Sequence, residues 1–112
     1  MSGEHADPAF LLDMITAGLS VERFLGKKTA AEYIADDLLR SAVERQIEII
    51  GEAARKVSPA TRNAHPEIPW KKIMATRHIL AHDYGAIDHD IIWRIATEHI
   101  PATLAALRKI KS

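Results

Sequence analysis

Cysteine is absent from the 112-residue chain, which removes disulfides, thiolate nucleophiles and cysteine zinc sites together. A charge excess is missing too, since 15 Lys and Arg balance 15 Asp and Glu. Bulk electrostatics therefore does not suit a protein that coats nucleic acid. No apolar run approaches the roughly 18 residues of a membrane span, and the opening MSGEHADPAF contains no apolar targeting segment. The expectation is a cytoplasmic protein without a membrane partner. The chain also lacks a phosphate-binding glycine loop, a serine-hydrolase elbow and a zinc-protease helix. Few positions suit strands, and no internal repeat or low-complexity tract is visible.

What remains has a globular composition, with 47% hydrophobic and 27% charged residues. One domain spanning 1–112 is expected, long enough to build a helical core unaided. The zero net charge conceals a modest split. Residues 1–56 hold ten acids and seven bases, whereas residues 57–112 hold five acids and eight bases. A polyanion would prefer the second half, where Arg62, Lys71, Lys72 and Arg77 lie.

Apolar spacing predicts an all-α fold. From Asp7 to Phe24, the residues Phe10, Leu11, Met14, Ile15, Leu19, Val21 and Phe24 recur three and four apart, the mark of an amphipathic helix. Gly26 supplies its stop. A second helical region starts at Thr29, with Glu32 completing a capping-box pattern, and runs to Val57 with a break expected near Ala35 to Asp37. The segment SPATRNAHPEIP carries three prolines and reads as a connector with one short turn. A third helix begins at Trp70 and ends before Gly85. Asp88 caps a last helix through Ile91 to Leu107, which Pro101 should kink or divide. These are four main helices with an additional short helix or kink, a bundle.

Gly51 lies inside IEIIGEAA, which is apolar on more than one side. Glycine is costly in a helix interior, but it lets another backbone come close. A homodimer built around this helix is the favoured explanation. A deep monomer core or a simple kink are the others.

The stretch RHILAHDYG, residues 77–85, concentrates Arg77, His78, His82, Asp83 and Tyr84. At about 100° per residue, His78 and His82 are helical neighbours, while Arg77 and His82 lie about 140° apart. A single ideal helix does not aim that pair at one point. A loosened helix end, a long arginine side chain or a groove between subunits would be needed. Chemically the pair fits metal-free RNA cleavage. A histidine near its free pKa exchanges a proton with the ribose 2′-OH, and a permanent cation stabilises the attacked phosphate. DNA lacks the hydroxyl. A packed or solvated helix end accounts for the same residues. His78 then edges the core, Asp83 and Asp88 cap helices, and a metal site at His78, His82 and Asp83 lacks firm ligand geometry.

Beyond that pair the chain resembles the HepT-like proteins of the HEPN superfamily. The motif of Arg, a polar residue, three others and His reads RHILAH, and its extension to tyrosine reads HDY. The similarity includes AVERQIEIIGEAARKVS, HPEIPWKKIMATRHILAHDY and IIWRIATEHIPATLAAL, in the expected order. The resemblance implies an all-α, up-and-down HEPN-type bundle that forms a homodimer, with the motif lining a positively charged cleft at the subunit interface. It implies a metal-independent endoribonuclease toxin acting on RNA such as tRNA or mRNA. Arg77 would hold the scissile phosphate, His82 would be the acid–base residue, and His78 would assist. It also implies a cognate MNT-type nucleotidyltransferase antitoxin that uses ATP to place AMP on Tyr84; no cofactor or metal is implied for cleavage. Lys71 and Lys72 are near enough in sequence to extend such a cleft, but they are left outside the catalytic set. The alternative is a non-catalytic HEPN-fold partner that forms a complex with a nucleotidyltransferase. A nucleotide-binding helical domain is the third reading, and no feature favours it.

Overall fold

The structure is a computed structural model that describes residues 6–83, 85 and 87–111. Its elements are α1 (Asp7–Leu25), α2 (Ala30–Ala35), α3 (Asp37–Lys56), α4 (Pro59–Ala64), α5 (Trp70–His82), α6 (His89–Arg94), a π-helical turn (Ile95–His99) and α7 (Ile100–Lys111). The all-α bundle expected from the sequence is what forms. Its four long parts are α1, α3, α5 and the continuous column from α6 to α7. The short α2 and α4 occupy the connections.

The caps explain the boundaries. Thr29 accepts from the Glu32 N–H at 3.2 Å while the Glu32 carboxylate accepts from the Thr29 N–H at 2.8 Å, so both orphan donors at the start of α2 are satisfied. Asp36 ends α2 and caps α3, accepting from the Leu39 N–H at 3.0 Å. Arg40 bridges the break by donating to the Ile34 carbonyl and pairing with Asp37. Asp88 accepts from the N–H groups of Asp90 and Ile91 at the head of α6. Gly26, with a positive φ of 51°, terminates α1, a conformation that side chains disfavour.

One face of α1 (Leu11, Met14, Val21, Leu25) packs on one face of α3 (Val43, Ile47, Ile50, Ala54), and α7 closes the core with Leu104 and Leu107. The spacing of three and four turns these residues to a common side, and their removal from water is the main stabilising term. Pro101 does not divide the last column. Ahead of it the Ile100 N–H reaches the Ile95 carbonyl, five residues back. This wider turn relieves the clash a proline ring makes with the carbonyl of the preceding turn.

Two features are set by contacts between distant parts of the chain. Asp7 is only 4% exposed, yet it accepts from the Ser58 N–H (2.9 Å), the Ser58 hydroxyl (2.7 Å) and the Thr61 hydroxyl (2.6 Å). It staples the start of α1 to the start of α4. Burial alone would raise its pKa, but these three hydrogen bonds and the nearby Arg62 outweigh it and leave the carboxyl below its usual range. The second is the role of Gly51. A Cβ built there would lie 2.1 Å from the Arg77 Cβ and 3.1 Å from the Ile73 carbonyl oxygen. The close neighbour is α5 of the same chain, so Gly51 is explained by this intrachain crossing and gives no separate argument for a dimer.

Candidate active site

Helix α5 carries the motif, and its position is set at both ends of its contact with the core. Trp70 is buried and its indole N–H donates to the His65 carbonyl at 2.9 Å, which fixes where the helix begins. Further along, Gly51 lets α5 sink onto α3 at the level of Arg77. A helix turns about 100° per residue, so Trp70, Ile73, Leu80 and the Arg77 stem face inward. Lys71, Ala75, His78, Ile79 and His82 fall on the opposite side, and all five are exposed.

The inward placement decides what Arg77 meets. Its Nη2 lies 3.3 Å from Glu52 Oε1, and the two side chains are 31% and 33% exposed. Glu52 Oε2 also accepts from Arg55 at 2.7 Å and faces Lys56 at 3.8 Å. The hydrogen bond from Arg55 holds the Glu52 carboxyl below its ordinary range, with the charges of Arg55, Arg77 and Lys56 adding to the effect. Arg77 thus borders a polar hollow of about 170 Å³ that also receives Arg45, Glu48, Lys56 and Phe10.

His82 is the last residue of α5, and its ring packs on His78 with centroids 4.9 Å apart at 54°. Among the described residues Arg77 pairs with Glu52 and His82 packs with His78, and no contact joins Arg77 to His82. The expectation that one helix does not converge the pair matches this arrangement. Tyr84 lies outside the described residues. The cations beside Arg77 are Arg45, Arg55 and Lys56 of α3. Lys72 lines a different cavity. Sequence reading missed the α3 cations because they are distant along the chain; the signal available was Arg45, Glu52 and Arg55 on the polar side of α3.

That other cavity is an apolar groove of about 450 Å³ between α5 and the α6–α7 column. Its floor includes Met14, Ile47, Ile50 and Leu107, and Lys72 and Arg94 contribute cations to its lining, with His99 beside them. Ile79 and Ile91, 42% and 54% exposed, border it. Scattered apolar residues are ordinary on a surface, whereas a contiguous apolar groove is less so.

Comparison with known proteins places this arrangement. Residues 14–110 match the family described as Ribonuclease HepT-like. A protein of Methanocaldococcus jannaschii named "Putative RNase MJ1380" is 38% identical over 93 residues, covering 83% of this chain and 85% of that protein. The "Probable ribonuclease HepT" of Thermococcus cleftensis is 31% identical over 111 residues, 99% of both chains. "Putative RNase TTE0752" of Caldanaerobacter subterraneus is 33% identical over 79 residues, 70% of each chain. No solved structure matches. Among the described residues no helix is long and apolar enough to cross a membrane.

Proposed function

Because this chain belongs to the Ribonuclease HepT-like family, we propose that it is a metal-independent endoribonuclease toxin whose site is Arg77 and His82. The observation that carries the reading is the presentation of both groups on α5. A guanidinium is fixed at one edge by Glu52, and a pair of imidazoles stands on the solvent face. In the proposed reaction His82 takes the proton of a ribose 2′-OH, and the 2′ oxygen attacks the adjacent phosphorus. The bond to the 5′ oxygen breaks, that oxygen receives a proton, and a 2′,3′-cyclic phosphate remains. Arg77 stabilises the charge that develops on the phosphoryl oxygens. His78, packed on His82, supports its ring.

The working unit is a homodimer. Ile79 lies on the same side of α5 as His82, and with Ile91 it offers apolar surface to a second copy. In such a dimer two His82 side chains could divide base and acid duties. The substrate is RNA such as tRNA or mRNA, met in the cytoplasm. Control comes from a cognate MNT-type nucleotidyltransferase antitoxin, which transfers AMP from ATP to Tyr84 and releases pyrophosphate. The chain's other tyrosine, Tyr33, is fully buried, which leaves Tyr84 as the candidate hydroxyl. A bulky anion two residues from His82 would repel an RNA backbone and obstruct its path.

The test is intact-mass measurement of the protein made alone and with the antitoxin plus ATP, followed by incubation of both with tRNA in chelator. Cleavage by the unmodified form, lost in Arg77→Ala, His82→Ala and the modified protein, is the expected result. Intact RNA across a broad panel would instead favour a non-catalytic partner of the nucleotidyltransferase.

A further inference from the structure

Glu52 and Gly51 are adjacent on α3 and act on the same residue of α5. Gly51 sets the depth of the Arg77 backbone, because any side chain there would occupy the space of the Arg77 Cβ. Glu52 sets the direction of its head, with Oε1 3.3 Å from Nη2. From this geometry we infer that Glu52 is a positioning residue for Arg77, holding one edge of the guanidinium so that its other N–H groups are presented to a phosphate. The inference rests on the ribonuclease reading for its functional consequence, and on the α3–α5 geometry alone for the positioning itself.

Three features argue for this role over a purely structural one. The pair is about one-third exposed on each side, and half-solvated ion pairs contribute little to folding. An arginine free in solution samples many rotamers, and ordering it at the moment of reaction slows the chemistry; a fixed counter-ion removes that cost beforehand. The Glu52 carboxylate is itself anchored, since Arg55 donates to both of its oxygens at 3.3 and 2.7 Å. Arg55 therefore orients Glu52, which in turn orients Arg77. Among the described residues, Glu52 is the one carboxylate paired with Arg77, while Asp13 and Glu48 line the same hollow without pairing to it.

The experiment compares the parent with Glu52→Gln and Glu52→Asp by two readouts. Nitrogen-15 relaxation of the Arg77 Nε–H reports the order of the guanidinium and needs no RNA. Steady-state cleavage in chelator reports its use. Glu52→Gln should free the Arg77 Nε–H and lower kcat about tenfold with KM within about twofold, while the melting temperature stays at the parent's. Glu52→Asp keeps the charge and should retain more of the parent kcat and order than Glu52→Gln. Unchanged Arg77 order in Glu52→Gln overturns the positioning role. A kcat equal to or above the parent's in Glu52→Gln, with Arg77 freed, overturns its use in the reaction. If the parent leaves RNA intact, the ribonuclease reading fails, and the relaxation measurement still decides whether Glu52 orders Arg77.

Discussion

Asp7 and Glu52 are both carboxylates held below their ordinary pKa, yet they do opposite kinds of work. Asp7 is buried where α1 meets α4, and neutral donors from Ser58 and Thr61 satisfy it. Glu52 stands in partial contact with water, surrounded by the cations of Arg55, Lys56 and Arg77. A buried anion with its hydrogen bonds complete resists removal, because its loss leaves donors stranded away from water. An exposed anion among cations is cheap to remove thermodynamically, since solvent and salt screen it. The Asp7 end of the bundle is thus held by satisfied buried polar groups, while the α3–α5 face carries partly solvated charge.

The sharpest way to break this contrast is to remove the proposed catalytic groups. Arg77→Ala and His82→Ala should each lower RNA cleavage by at least about 100-fold; the unfolding free energy of His82→Ala should stay within about 0.5 kcal/mol of the parent, while Arg77→Ala also gives up the packing of its stem on α3 and costs more. A large stability loss from His82→Ala would contradict the assignment of its face as solvent-exposed. At the other end, Asp7→Ala should cost roughly 3 kcal/mol in denaturant unfolding and leave the cleavage rate of the folded protein unchanged.

Gly51→Ala tests the crossing between the two regions. The new methyl would clash with the Arg77 stem, so α5 must shift, at a cost of roughly 2 kcal/mol. Here stability and cleavage should fall together. Acid titration separates the two carboxylates further. The folded-state pKa of Asp7 is depressed from the ordinary 3.8. Its contribution is thus present above that ordinary value and is lost as pH falls through the folded one. Asp7→Asn should flatten the acid limb of stability against pH. The smallest effect is expected at Tyr33, whose buried hydroxyl has no hydrogen-bond partner among the described residues. Tyr33→Phe removes an unsatisfied group without changing the ring, and should raise the unfolding free energy by up to about 1 kcal/mol.

Much of the helical frame was legible residue by residue. The stop at Gly26, the capping box at Thr29 and Glu32, the break at Asp36 and the cap at Asp88 all appear where local chemistry puts them. Caps and periodicity act over three or four residues, so the chain records them directly. Asp7 was readable only as a helix-start residue, because its partners are 51 and 54 positions away. Gly51 announced a close approach, but nothing local distinguishes a neighbouring helix of the same chain from that of a second copy. Lys72 lines the apolar groove, and the cations that share the hollow of Arg77 come from α3, which nothing in the stretch around Arg77 announces.

The residue order by itself determined the all-α bundle and named the motif RHILAHDY, since apolar period, caps and chemical identity are properties of short stretches. Which groups stand beside that motif was decided only by tertiary structure. Glu52 faces Arg77 because Gly51 lets α5 rest on α3, and Ile79 and Ile91 line one groove because α5 packs on α3 while α7 packs on α1. Packing sets such distances through the whole core at once, so no segment of the chain contains them alone.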